Sequence, residues 1–250
     1  MKKKVEFRRD GLTIRGHAWK NDRSDPQHAV ILCHGFLANE RMCHTYARFL
    51  ADVGFLSVTF DFCGGGLHSK SDGISQDMTV FTEKDDLIAV VKGVEEQFPV
   101  KGISLLGCSQ GGLVSAMVAK EPSLRIERLI LMYPALCIPD DARQGKMMFY
   151  RFDSDHIPDI LGYFPIKLGG NYARTVIEKD AFEMIAGFNG PVLYLHGTED
   201  RIVNISYARK AQDLFANCEY HEIEGGGHVF RGKHDRQACE ILGAYMMKTF

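Results

Sequence analysis

The chain has 250 residues, 45% of them hydrophobic and 25% charged, with a formal net charge of -2. That is enough apolar material for one sizeable α/β unit, and the near-neutral balance excludes the basic footprint of a nucleic-acid binder. No run of about 18 apolar residues marks a membrane span, and charged Glu6, Arg8, Arg9 and Asp10 follow Lys2-Lys3-Lys4 where a signal peptide would turn apolar.

In chain order, Val5-Glu6-Phe7 and Leu12 to Ala18 alternate in polarity and meet at Asp10-Gly11, which predicts an opening hairpin. Continuous apolar runs follow at Ala29–Cys33, Leu56–Phe60, Ile103–Leu106, Leu129–Met132 and Val192–Leu195. Runs of this length fit strands covered on both faces. Helical spacing lies between them, over Arg41–Val53, Glu83–Phe98, Gly112–Lys120, Ser206–Phe215 and Arg236–Lys248. Strands alternating with helices predict a mostly parallel central sheet with helices on both faces.

Residues 134 to about 190 break the rhythm, with Pro134, Pro139, Pro158 and Pro165 among aromatics such as Phe149, Tyr163 and Tyr172. So long a stretch inside a compact domain reads as a functional lid or insertion. Residues 1–250 are expected to form a single domain carrying this cap, with the sheet resuming at Val192. The seven cysteines are scattered without metal-ligand or disulfide spacing, which predicts buried reduced thiols and a cytoplasmic setting. No metal is implied.

Gly107-Cys108-Ser109-Gln110-Gly111 follows the run Ile103–Leu106 and opens the helix at Gly112. This is a G-x-S-x-G elbow in the strand–turn–helix setting that lifts a serine hydroxyl clear of the backbone. A serine needs a base, and the base an orienting carboxylate. Asp200 stands in the loop after Val192–Leu195, and His228 ends Glu224-Gly225-Gly226-Gly227-His228 after the run Tyr220–Ile223. The order Ser109, Asp200, His228 is the one this fold uses. Glu199 is the rival carboxylate, and a turn or cap role is the alternative for Asp200. A solvated loop histidine is the alternative for His228.

Cys33-His34-Gly35-Phe36 follows the third strand, where a second oxyanion donor is required. The backbone N–H groups of Phe36 and Gln110 are the expected donors, with their side chains free for other work. His34 is expected to hold the loop by hydrogen bonding.

Together, HGF, the Asp61–Gly73 turn, GCSQGG, HGTED and EGGGH resemble the α/β-hydrolase superfamily over nearly the whole chain. More narrowly, Gly107–Gly112 with Pro134-Ala135, Ile157-Pro158, Leu168–Arg174 and Pro191–Asp200 resembles the bacterial cinnamoyl and feruloyl esterases. The resemblance implies a cofactor-free serine carboxylesterase acting on small-molecule hydroxycinnamate esters, pairing as a homodimer, with a small cap shaping its acyl pocket. It also matches Asp141 and Tyr172 to cap positions that contact a phenolic hydroxyl. A helix-cap role for Asp141, on a helical pattern over Asp141–Met148, and a core role for Tyr172 are the alternatives. Cys108 departs from the usual G-H-S-x-G, and the turn at Asp61–Ser69 is longer than the usual G-H-G-x-S form. Lipase, thioesterase and peptidase activities share the same machinery, and a non-catalytic binding protein is the reading from another class.

Overall fold

A computed structural model describes residues 1–248. In chain order, β1 (Lys2–Arg9), β2 (Leu12–Trp19) and β3 (His28–Cys33) lead through a 3-10 turn at Glu40–Cys43 into α1 (His44–Asp52). Then come β4 (Leu56–Phe60), α2 (Val80–Gln97), β5 (Gly102–Cys108), α3 (Gln110–Ala119) and β6 (Ile126–Met132). The segment after β6 holds α4 (Ile138–Arg143), β7 (Lys146–Met147), β8 (Tyr150–Arg151), β9 (Ile160–Gly162), β10 (Leu168–Gly169), α5 (Asn171–Arg174) and α6 (Ala181–Ile185). The chain closes with β11 (Val192–Gly197), α7 (Ile205–Ala211), β12 (Cys218–Ile223) and α8 (Lys233–Met246).

The main sheet has eight strands in the order β1-β2-β4-β3-β5-β6-β11-β12. Every pairing from β4 to β12 is parallel, and β2 runs antiparallel to both its neighbours. The apolar strands are buried twice over because successive side chains alternate faces. Ala29, Ile31, Leu105 and Tyr194 enter the core on one side of the sheet, while Val30, Leu32, Leu106 and Leu195 enter the core on the other. Each Val, Leu or Ile among them contributes about 1.5–3 kcal/mol when fully buried, which favours these strands at the centre.

Boundaries differ from the sequence expectations where local geometry intervenes. The expected helix over Arg41–Val53 begins as a 3-10 turn, capped by the Asn39 side chain accepting from Arg41 N–H. The helix expected over Asp141–Met148 instead starts at Ile138, with Pro139 in its first turn, and stops at Arg143. Gly145, at φ +65°, turns the chain into the β7–β8 hairpin. Asp141 is therefore inside a helix rather than its N-cap. All seven cysteines are free thiols, five of them buried. No helix among the described residues is long and apolar enough to cross a membrane.

The segment between β6 and β11 is tied to the rest of the fold. Tyr207 of α7 donates its hydroxyl to Asp140 of α4 at 2.5 Å. Within the segment, Arg143 donates to the carbonyls of Ile177 and Lys179 at 2.7 and 2.8 Å.

Candidate active site

The elbow is built by close backbone approach. A Cβ on Gly107 would lie 2.2 Å from the Gly111 carbonyl oxygen, and one on Gly111 would lie 2.4 Å from that of His34. Only glycine fits either place. Between them Ser109 takes φ 54° and ψ -120°, a conformation that costs a non-glycine residue of order 1–3 kcal/mol. The packing around it holds the strain: Ser109 N–H donates to Met132 O at 3.0 Å, and Ala135 N–H donates to Ser109 O at 2.9 Å.

Ser109 Oγ lies 2.8 Å from His228 Nε2. The other ring nitrogen, Nδ1, lies 2.8 Å from Asp200 Oδ2. With Nδ1–H donating to the carboxylate, Nε2 keeps its lone pair for the serine proton. Tyr133 packs edge-on against the His228 ring at 5.0 Å between centroids. Asp200 is fixed from its other side, where Oδ1 accepts Ile202 N–H and Val203 N–H, each at 2.9 Å. Burial opposes ionisation of Asp200, but hydrogen bonds from His196 and His228 outweigh it and hold the carboxyl well below the ordinary aspartate range. Glu199, the rival carboxylate, is exposed.

The loop after β3 closes over the serine. A Cβ on Gly35 would meet Ser109 Cβ at 2.9 Å, so this residue must be glycine for the loop to approach. His34 is fully buried and holds the loop: Nδ1–H donates to Gly35 O at 2.9 Å, and Nε2 accepts Phe62 N–H at 3.1 Å. Burial lowers its pKa, in keeping with a neutral ring that donates at one nitrogen and accepts at the other. Gln110 opens α3, where the first backbone N–H groups lack intrahelical partners and the helix dipole is positive.

The side chains of Phe36 and Gln110, expected to be free for other work, are engaged in contacts of their own. Phe36 packs on Tyr172 with ring centroids 5.3 Å apart. Gln110 Nε2 donates to Glu83 at 2.7 Å, and Gln110 Oε1 accepts the Tyr172 hydroxyl.

Ser109 opens onto a narrow cleft. Its walls include Phe36, Ile138, Met147, Met148 and Val203, and Asp141 and Tyr172 also line it. Asp141 is mostly buried and pairs with Lys146 Nζ at 3.0 Å. Among the described residues no group of three or more His, Cys, Asp or Glu side chains is placed to hold a metal ion.

Three participants escaped the sequence reading. His196 ends β11 fully buried, its Nε2 3.3 Å from Asp200 Oδ2 and 2.9 Å from Val203 O. Nothing in HGTED distinguishes it from a core histidine. Lys146 carries no signal at all. Glu83 does: it stands four residues before Leu87, on the apolar stripe of α2 with Val90, Val91 and Val94.

The sequence profile described as serine aminopeptidase, S33, matches residues 24–180. Among curated proteins, the chain is 24% identical over 237 residues to a monoacylglycerol lipase of Mycolicibacterium smegmatis, covering 84% of this chain and 83% of that one. It is 28% identical over 155 residues to a monoglyceride lipase of Rattus norvegicus, a match that spans 49% of the rat protein. Among solved structures it is similar to Est1E from Butyrivibrio proteoclasticus with ferulic acid bound. The TM-score is 0.88 at 28% identity, over 97% of this chain and 98% of that one. The sheet, the order of its strands and the extent of the profile match all agree, and the chain belongs to the serine aminopeptidase S33 family of α/β-fold serine hydrolases.

Proposed function

We propose that this protein is a carboxylesterase that works through an acyl-enzyme on Ser109, with hydroxycinnamate esters as its substrate class. The unbroken line Ser109 Oγ–His228–Asp200, at 2.8 Å and 2.8 Å, carries the reading. Ser109 Oγ adds to the ester carbonyl as its proton passes to His228 Nε2. Asp200 holds the imidazole tautomer and stabilises the imidazolium. The Phe36 and Gln110 amides receive the oxyanion, where losing one such donor costs about 3 kcal/mol. Collapse breaks the ester C–O bond, and the leaving alcohol takes the proton from His228. Water then enters by the same route and releases the acid.

Residues 134–190 act in this scheme as a cap over a single hydrolase domain. The cleft they help to line is narrow and apolar, with Asp141 and Tyr172 among its walls. That suits a flat aromatic acyl group bearing a phenolic hydroxyl, and the similar Est1E structure holds ferulic acid. The curated relatives favour a second reading, hydrolysis of monoacylglycerols.

Initial rates on methyl ferulate, methyl p-coumarate, p-nitrophenyl butyrate and a monoacylglycerol separate the two. The first reading expects the hydroxycinnamates to be the better substrates, and a preference for the glycerol ester overturns it. Ser109→Ala is expected to lower turnover by about four to six orders of magnitude; near-normal turnover would remove the serine mechanism.

A further inference from the structure

Glu83 sits in the first turn of α2 and is 1% exposed. No cation pairs with it among the described residues, and its Oε1 has no hydrogen-bond partner there. Its other oxygen accepts Gln110 Nε2–H at 2.7 Å. A buried carboxyl with one oxygen unsatisfied is unfavourable for folding. An acid early in a helix is often explained by the helix dipole. Here the start of α2 is already closed by a capping box between Thr79 and Thr82, and the Glu83 carboxyl turns to Gln110 instead.

Gln110 is thus clamped at both ends, by Glu83 from α2 and by the Tyr172 hydroxyl from α5. The side chain so held belongs to the residue that directly follows Ser109. The glycine turn after β4 braces the same arrangement from outside. A Cβ on Gly65 would lie 2.9 Å from Glu83 Oε1, and one on Gly66 would lie 1.5 Å from Ala38 O, in the loop that carries Phe36. The turn therefore packs closely against both Glu83 and the loop that carries Phe36.

We propose that Glu83 is a positioning residue for the oxyanion site: through the Gln110 side chain it fixes the peptide whose N–H faces the developing charge, and through Tyr172 it couples that peptide to the cap. The inference rests on reading the Gln110 amide as an oxyanion donor. Glu83 touches no reacting atom. Losing it leaves substrate contacts in place and removes stabilisation that matters only in the transition state, so the effect falls on kcat.

The test measures kcat and KM on p-nitrophenyl butyrate for Glu83→Leu, Glu83→Gln and Gln110→Ala. Each rate is divided by the fraction of Ser109 labelled by a fluorophosphonate, so that unfolded protein does not count. Glu83→Leu and Gln110→Ala are each expected to lower kcat by about 10- to 100-fold with KM within about twofold. Glu83→Gln, whose amide oxygen still accepts from Gln110, should restore most of that loss. The double variant Glu83→Leu/Gln110→Ala should be no slower than the worse single variant, because both remove one clamp.

Unchanged kcat per labelled serine in Glu83→Leu or Gln110→Ala overturns the proposal, as does a loss confined to KM or full additivity in the double variant. If Glu83→Leu does not fold, Gln110→Ala and Glu83→Gln decide by the same criteria. Failure of the esterase reading itself would show separately, as turnover that survives Ser109→Ala.

Discussion

Asp200 Oδ2 faces two histidines, His228 Nδ1 at 2.8 Å and His196 Nε2 at 3.3 Å. The two rings have different attachments. His228 continues to Ser109 Oγ, whereas His196 is closed off by Val203 O at 2.9 Å and has no partner for Nδ1 among the described residues. The carboxylate is thus anchored by a ring that cannot reach the serine and is left free to orient the one that does.

Replacing His196 with Phe should expose what that anchor contributes. Val203 O loses its side-chain donor and Asp200 loses one of two, at a cost of about 1–3 kcal/mol for the groups left unsatisfied. Urea denaturation of His196→Phe measures this directly. A midpoint equal to that of the wild type would mean that the backbone hydrogen bonds to Asp200 Oδ1 suffice.

Gly35→Ala tests the fit between the loop after β3 and Ser109. The added methyl carbon would start 2.9 Å from Ser109 Cβ and 3.4 Å from Cys108 O, so loop or serine must move. A displacement approaching an ångström at a reacting group costs roughly 100-fold in rate. Turnover should fall about 10- to 100-fold while the melting temperature changes little. Full activity would show that the loop has slack.

The charge state of Glu83 has a thermodynamic signature. Burial pushes its carboxyl well above the ordinary glutamate range, against the pull of the Gln110 hydrogen bond, and nearby Asp86 adds to the rise. The folded protein therefore keeps a proton that the unfolded chain releases above about pH 4.3. This stabilising contribution is complete below that pH and is lost as pH climbs towards the folded value. Glu83→Gln does not titrate, so its stability relative to wild type should grow with pH by up to about 1.4 kcal/mol per unit. Denaturation curves from about pH 5 to about pH 8 give the slope, and a flat difference would show a carboxyl that ionises normally.

Substrate choice should respond to Asp141 without disturbing the chemistry. Asp141→Ala removes a polar wall of the cleft and the partner of Lys146 Nζ. Sites that hydrogen-bond a substrate hydroxyl discriminate strongly through that contact. The expected result is a fall of about 10- to 100-fold in kcat/KM for methyl ferulate, with p-nitrophenyl butyrate affected less than about threefold. Equal losses on both esters would remove Asp141 from phenol recognition.

The sequence by itself determined the elements whose physics is local. Continuous apolar runs such as Ala29–Cys33 and Leu129–Met132 have no solvent-facing side, which predicts central strands, and β3 and β6 lie there. The elbow was equally legible from its spacing, and the steric reason for glycine at Gly107 is set four residues away by the Gly111 carbonyl. Ser109, Asp200 and His228 could be singled out by the loops they occupy.

Tertiary structure alone decided what depends on segments far apart. Ser109 and His228 are 119 positions apart, and their 2.8 Å contact exists only because β5 and β12 carry their loops to the same end of the sheet. The sequence favours Asp200, but its rival Glu199 is set aside only by which of two adjacent side chains points inward. Tyr172 could be named as a cap residue, but not as a donor to Gln110. Glu83 lay in plain view on an apolar helix face, yet its meaning required Gln110, Tyr172 and Gly65 around it. A buried polar group is defined by its partners, and those partners come from three other stretches of the chain.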